Sequence, residues 1–171
     1  NPALMTAIAQ TKAQNSTLHL AGLLTSNTVH AAFGHLVALL KMAKQNEISQ
    51  VHLHLFLDGR DSGLQEAPVL LQNLQSTIQS LGTGIVTTLI GRDYGMDRDN
   101  NWERTQAAFQ LITQAKGEKI AGDYATTLAG HYQAGQTDSN MPALLIDPTY
   151  TGLAANDAMV FFNFREDSMR Q

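Results

Sequence analysis

The stretch "QVHLHLFLDGRDS", residues 50–62, joins a strand pattern to a sharply polar turn. Its first part alternates and then becomes fully apolar, which is typical of a buried β-strand. The Gly-Arg-Asp step recurs in "IGRDY" at 90–94, at the end of the β-branched run "GIVTTLI" at 84–90. Two strands are therefore predicted to end in the same kind of polar turn.

Helix and strand patterns alternate on both sides of this stretch. Apolar runs predict strands at 17–24, 50–57, 84–90 and 158–164, and a short strand near 143–146 in a turn-rich stretch. Helical spacing of apolar residues predicts helices at 2–14, 29–44, 65–81, 101–116 and 122–134. This order favours an α/β fold, a three-layer α/β/α arrangement with a largely parallel central sheet. No linker-like composition shift is found, so residues 1–171 are predicted to form a single domain.

The composition excludes several classes of protein. With 171 residues, 43% of them hydrophobic, the chain can bury a core of ordinary size, and it has no apolar run long enough to span a membrane. A net charge of −4 argues against a nucleic-acid partner. The lack of cysteine excludes thiolate chemistry and is compatible with a cytoplasmic protein. The first residues carry neither an initiator methionine nor a signal pattern, as expected of an excised domain.

Polar residues collect in the segments that follow the predicted strands. In a parallel sheet the carboxyl ends of the strands share one edge, and such folds bind ligands there. Four segments are therefore expected to bring one set of side chains together: His30, Arg60, Asp61, Arg92, Arg98 and Arg165. Arginine offers paired donors that fit carboxylate and phosphate oxygens, and each charge-assisted bond contributes about 1.5 to 3 kcal/mol. The sequence thus predicts a site for a small anion, with Asp61 as its one apt carboxylate.

Simpler interpretations stay open for parts of this set. Arg92 with Asp93, and Arg98 with the acidic residues on either side of it, also fit salt-bridged surface turns that contribute little to stability. His30 is predicted to open a helix, where a structural imidazole is as plausible as a ligand contact. The "HLH" step at 52–54 places two imidazoles on one strand face, but no third metal ligand is evident.

Other polar and aromatic residues are predicted to be structural. The strand histidines are expected to be packed or at the surface: His19, His52 and His54. The large aromatic residues are expected in the core: Trp102, Phe161, Phe162 and Phe164. Asp123 and Asp147 fit a helix cap and a turn. The chain contains no Gly-x-Ser-x-Gly elbow, Walker loop or Gly-x-Gly-x-x-Gly motif, so acyl hydrolysis and nucleotide binding lack their usual support.

Several segments, taken in order, resemble one family. The segments "GLLTSNTVHAAFGHL", "HLFLDGRDS", "IGRDYGMDRDNNWERTQAAFQLI" and "FFNFREDSMRQ" resemble the substrate-binding (phosphotransferase) domain of cofactor-independent, manganese-dependent phosphoglycerate mutase. The similarity covers nearly the whole chain. In that family the domain is inserted into a larger alkaline-phosphatase-like domain with a serine nucleophile. The resemblance implies that this chain is the inserted domain alone, that it binds no cofactor, and that two Mn²⁺ ions belong to the absent domain.

The resemblance also implies a role for each predicted site residue. His30 would contact the phosphate or the hydroxyl region of the substrate. Arg60 and Asp61 would bind the glycerate, with Asp61 as the candidate acid or base. The remaining arginines would clamp carboxylate and phosphate groups: Arg92, Arg98 and Arg165. The implied activity is that of a glycolytic isomerase, a cytoplasmic monomer that interconverts 3-phosphoglycerate and 2-phosphoglycerate through a phosphoserine, with the isolated domain inactive.

Three departures from the family pattern bear on this expectation. The family's "SDGGVHSH" loop reads "TSNTVHAA" here, so Asn27 and Thr28 replace two glycines, and threonine adopts positive φ poorly. Ser168 stands where the family has a second arginine, and Asp93 is expected to weaken the positive field of Arg92. Two alternatives therefore stay open: a diverged, non-catalytic anion-binding domain, and a related mutase for another small phosphate ester.

Overall fold

The computed structural model describes residues 1–120 and 123–169, which are organised around a six-stranded sheet. Its strands are β1 (Leu18–Leu24), β2 (Val51–Leu57), β3 (Ile85–Gly91), β4 (Glu118–Lys119), β5 (Leu144–Leu145) and β6 (Ala158–Phe161). The strand order is β4-β5-β3-β2-β1-β6, and of the paired neighbours only β3 and β5 run antiparallel. The predicted, largely parallel sheet is confirmed.

Helices cover both faces of this sheet. They are α1 (Pro2–Gln14), α2 (Phe33–Gln45), α3 (Ala67–Leu81), the short α4 (Arg92–Gly95), α5 (Trp102–Gln114) and α6 (Tyr124–Gln133), with 3₁₀ turns at Asp138–Asn140 and Glu166–Met169. Strands β1, β2 and β3 follow one another in the same direction, which places their crossover helices α2 and α3 on one face, in contact with each other. Helix α5 packs on β3. The predicted three-layer α/β/α fold is confirmed, and none of the described helices is long and apolar enough to cross a membrane.

The central strands are apolar because both of their faces are covered. Every residue of β1 is buried, and so is every residue of β2 except His52. Leucine supplies most of the largest fully buried side chains, from Leu18 in β1 to Leu74 in α3. A single core therefore holds the strands rigidly and fixes where their carboxyl ends lie.

Several local predictions were wrong. Helix α2 begins at Phe33 rather than at 29, so His30 lies in a bend before the helix. Trp102, expected in the core, is 69% exposed at the first position of α5. Phe161 and Phe164 are each about half exposed, because β6 is an edge strand that ends at Phe161. Of the predicted aromatic core residues, Phe162 is the buried one.

Other local predictions were confirmed. Asp123 caps helix α6 by accepting a hydrogen bond from the backbone N–H of Ala125, and Asp147 accepts hydrogen bonds in a turn. Gly122, where the last helix was predicted to begin, lies outside the described residues, as do positions 170 and 171.

The strand histidines form a cluster on the α5 face of the sheet, in which His19 and His54 are buried and His52 is partly exposed. His19 Nδ1 lies 2.9 Å from His54 Nε2, and His19 Nε2 lies 3.2 Å from an Asp157 carboxylate oxygen. His54 Nδ1 is 2.9 Å from the Thr88 hydroxyl, and the Tyr150 ring lies against the imidazoles. Burial lowers the pKa of His54 to about 3, helped by the neighbouring histidines. These imidazoles are therefore packed, neutral parts of the core.

The buried His54 makes the fold sensitive to acid. Below pH 6.5 an unfolded chain binds a proton at this histidine, whereas the folded chain does not until about pH 3. The stability is thus fully present above pH 6.5 and is lost as the pH falls below it. At pH 4.5 we expect the free energy of unfolding to be about 2 to 3 kcal/mol lower than above pH 6.5 because of His54 alone. Urea unfolding at pH 4.5 and above pH 6.5 measures this difference. The variant His54→Gln should show a smaller loss over this range, and the exposed-site variant His35→Gln should keep the parent's loss; equal losses in all three would contradict the prediction.

Candidate functional site

The carboxyl ends of three central strands lie side by side. Leu24 is the register partner of Leu57, and Leu57 is the partner of Gly91, so β1, β2 and β3 end together. The residue after each strand end is polar: Thr25, Asp58 and Arg92. The Thr25 hydroxyl donates to Asp58 Oδ2 over 2.6 Å, and Arg92 Nη1 donates to Asp58 Oδ1 over 2.5 Å. Strand register alone therefore assembles the base of the predicted site.

Asp58 is the buried centre of this network. It is 1% exposed, and its Oδ1 also accepts hydrogen bonds from the backbone N–H groups of Arg60 and Asp61. Gly59, which lies between Asp58 and Arg60, has a φ of +63°. Glycine adopts this φ without strain, so the turn can close around the Asp58 carboxylate. Burial alone would raise the pKa of Asp58, but hydrogen bonds from Thr25 and Arg92 outweigh it and lower the pKa. The buried carboxylate is ionised, and it fixes the turn that carries Arg60 and Asp61.

Arg92 links three of the predicted segments. Its Nη1 donates to Asp61 Oδ2 over 2.7 Å as well as to Asp58, and its Nη2 lies 3.0 Å from His30 Nε2. Burial alone would lower the pKa of Arg92, but the bonds to Asp61 and Asp58 raise it. Arg92 is therefore a charged, buried group held between two carboxylates and an imidazole.

His30 is held as a neutral imidazole. A guanidinium donates only, so the Nε2 that faces Arg92 must accept, and the proton must reside on Nδ1. Burial lowers the pKa of His30, and the charges of Arg92 and Arg165 lower it further. His30 is 4% exposed, yet its Nδ1 has no hydrogen-bond partner among the described residues. Its backbone carbonyl accepts from the N–H of Phe164, which holds the segment leading to Arg165 against this bend.

The other three arginines stand at the surface of the rim. The side chains of Arg60, Arg98 and Arg165 are about half exposed. Arg60 Nη2 lies 2.5 Å from Asp93 Oδ1, so the carboxylate expected to weaken Arg92 pairs with Arg60. Arg98 and Arg165 both pair with Asp167. All four arginines thus face carboxylates from other segments or from the next turn.

The "MDRDN" turn, residues 96–100, is stabilised by hydrogen bonds to Asp97. Asp97 accepts hydrogen bonds from the backbone N–H and the side-chain Nδ2 of Asn101, over 2.8 and 2.7 Å. These bonds outweigh the effect of burial and lower the pKa of Asp97. Asp97 therefore holds the turn that carries Arg98, and the ion pair of Arg98 runs to Asp167 instead of to a neighbour in the turn.

A small pocket lies among these side chains. Its cavity volume is about 40 Å³, enough for a few water molecules. Four of the six predicted site residues line it, namely His30, Arg60, Arg92 and Arg98. Asp61 reaches the same cluster through Arg92, and Arg165 reaches it through Asp167. The structure therefore brings the predicted set together at one edge.

Sequence reasoning missed some functional candidates at this edge. Thr25 and Asp58 are the buried supports of the site, and Asp167 and Arg104 also line the pocket. The role of Asp58 could have been predicted from the sequence, because a carboxylate that directly follows a fully buried strand needs a partner. The pairing of Asp167 with Arg98 could not, since 69 residues separate them.

The fold and this edge define an α/β domain that presents arginines, one neutral histidine and a carboxylate at the carboxyl ends of its strands, as anion-binding α/β domains do. Comparison with known proteins makes the class more specific. Residues 1–171 match the family model described as "BPG-independent PGAM N-terminus". The chain belongs to this family.

Curated proteins that are similar to this chain are named phosphoglycerate mutases. The chain is 37% identical over 174 residues to a 2,3-bisphosphoglycerate-independent phosphoglycerate mutase of Serratia proteamaculans, covering 100% of this chain and 34% of that protein. It is 41% identical over 170 residues to one from Listeria monocytogenes serotype 4b, covering 98% and 33%. The chain therefore spans about a third of the length of these curated relatives.

A solved structure has the same fold. A crystal structure of Leishmania mexicana phosphoglycerate mutase at low cobalt concentration superposes with a TM-score of 0.83 at 20% identity. The match covers 94% of this chain and 31% of the Leishmania chain.

Proposed function

We propose that this chain is the substrate-binding domain of a cofactor-independent phosphoglycerate mutase and is inactive without the rest of the enzyme. The observation that supports this most directly is the linked network of His30, Asp61 and Arg92, built on strands that end in register. The curated relatives are named phosphoglycerate mutases, and the proposed reaction is the interconversion of 3-phosphoglycerate and 2-phosphoglycerate. The proposed context is glycolysis, in a cytoplasmic monomer.

The site residues divide the work of such a reaction. The half-exposed arginines, Arg60, Arg98 and Arg165, have donors that can reach a bound carboxylate or phosphate. Asp61 is about one quarter exposed and is held by Arg92, so it can take a proton from a substrate hydroxyl or return one. The neutral His30 offers its Nδ1–H as a further donor.

Retention of the glycerate is the physical purpose of such a domain. In the proposed relay a serine of the absent part takes the phosphate, and the glycerate must stay bound until the phosphate returns to its other hydroxyl. Loss of the glycerate would convert the mutase into a phosphatase. Confinement makes the return step effectively unimolecular, which is worth a large rate factor over recapture from solution.

The manganese ions of the proposed enzyme do not fit the described residues of this chain. No group of three His, Asp or Glu residues able to hold a metal ion occurs among residues 1–120 and 123–169. The ions would therefore be bound by the part of the enzyme that this chain does not span.

An assay of the full-length protein tests the proposal. With Mn²⁺ it should interconvert the two phosphoglycerates. A related mutase would act only on another phosphate ester, and a diverged binding domain would act on no phosphate ester. In the full-length enzyme, Arg98→Ala and Arg165→Ala should each raise KM about tenfold, because each removes a charge-assisted bond from a half-exposed position. Lys116→Ala, which removes the same charge at an exposed site, is the matched control. Unchanged KM values in both arginine variants would remove the proposed clamp.

A further inference from the structure

Asp167 lies where three of the site residues converge. Its Oδ2 is 2.6 Å from Arg98 Nη1, and its Oδ1 is 3.0 Å from Arg165 Nε. The same Oδ1 lies 3.9 Å from His30 Nδ1. One carboxylate from the 3₁₀ turn Glu166–Met169 thus occupies the space between the arginines.

The contact with His30 is incomplete. His30 Nδ1 carries the proton, because Nε2 accepts from Arg92, and a separation of 3.9 Å is too long for a hydrogen bond. This buried donor therefore faces an acceptor that does not reach it. Burial of an unsatisfied donor is costly, and so the position suits an anion with more oxygens, or with a better placed one, than this carboxylate provides.

The space left between these side chains is small. The pocket has a cavity volume of about 40 Å³, and Asp167 is one of the residues that line it. The turn that carries Asp167 is largely exposed, whereas His30 and Arg92 are buried. Asp167 is therefore the member of the cluster that can leave while the rest keeps its place.

We propose that the Asp167 carboxylate is an internal placeholder for the anionic group of the ligand, which displaces it from Arg98, Arg165 and His30 on binding. This inference rests on the proposed function, since it names how that same site opens. A phosphate group, with three free oxygens and up to two charges, can satisfy both arginines and His30 at once. The carboxylate keeps the arginines paired and in place while the site is empty, and in doing so weakens anion binding.

The sign of the effect of Asp167→Asn tests the inference. Isothermal titration of this chain with inorganic phosphate, and separately with 3-phosphoglycerate, should give at least fivefold tighter binding for Asp167→Asn than for the parent. Glu103→Gln removes the same charge from an exposed position in the first turn of α5 and should change affinity by less than twofold. Circular dichroism melting of each variant verifies that the fold is kept.

Three outcomes would overturn the inference. Weaker binding in Asp167→Asn would show that Asp167 helps to hold the ligand, and an equal gain in Glu103→Gln would show a general charge effect. Absence of phosphate binding to Asp167→Asn would show that removing this charge does not open an anion site. A failure of the mutase assay of the full-length protein, with phosphate binding intact, would count against the proposed function and leave the placeholder standing.

Discussion

Replacing Arg92 with methionine is expected to lower the free energy of unfolding of this chain by about 3 to 5 kcal/mol, because it leaves a buried ionised carboxylate without its charged partner. That carboxylate is Asp58, which is 1% exposed and bonded to Arg92 over 2.5 Å. Methionine keeps much of the volume of the side chain, so the loss reports the charge and not a cavity. Urea unfolding followed by circular dichroism measures it.

Two further variants serve as controls for the Arg92 prediction. Arg104→Met removes an arginine that lines the same pocket but is exposed, and it should cost less than about 0.5 kcal/mol. The double variant Asp58→Asn with Arg92→Met should recover part of the loss, because it also removes the stranded charge. If Arg92→Met unfolds at the parent's urea concentration, or if the double variant is less stable than Arg92→Met, the buried pair does not support the fold as described.

The proximity of the candidate site residues could be predicted from the sequence, whereas the ion pairs among them could not. For β1, β2 and β3 the apolar runs mark the carboxyl ends within one residue, and parallel strands bring those ends to one edge, so the expected proximity of His30, Arg60 and Arg92 is found. Which carboxylate each arginine meets depends on loop paths across the rim. Arg98 pairs with Asp167 instead of with Asp97 or Asp99, a choice for which local spacing contains no information.

Burial shows the same limit at the level of the fold. Helical spacing placed α5 correctly. Trp102 was assigned to the core, but it is exposed because no described element packs closely on the first turn of α5. The aromatic run at 161–164 was predicted to lie in a strand with its rings in the core, whereas β6 ends at Phe161 and is a short edge strand with one neighbour. Periodicity defines which face of an element is apolar; the neighbouring elements decide whether that face is covered.

In the proposed full-length mutase, replacing Asp61 with asparagine is expected to lower kcat by about a hundredfold or more, since general acid–base catalysis contributes about 10² to 10⁴. Asparagine keeps a side-chain oxygen that can still accept the bond from Arg92 Nη1, so the position of Arg92 should hold. The change therefore removes the proton-accepting group and leaves most of the binding contacts, and KM should change far less than kcat. Steady-state rates in both directions, with the unfolding free energy measured alongside, give the comparison.

The split between kcat and KM decides between two roles for Asp61. A higher KM with kcat unchanged would make it a binding residue, as is proposed for the other rim groups. A lower kcat with the stability unchanged would place the proton transfer at this carboxylate, because Asp58 is buried behind Arg92 and cannot reach a substrate. Glu103→Gln, which neutralises an exposed carboxylate on α5, should keep both constants.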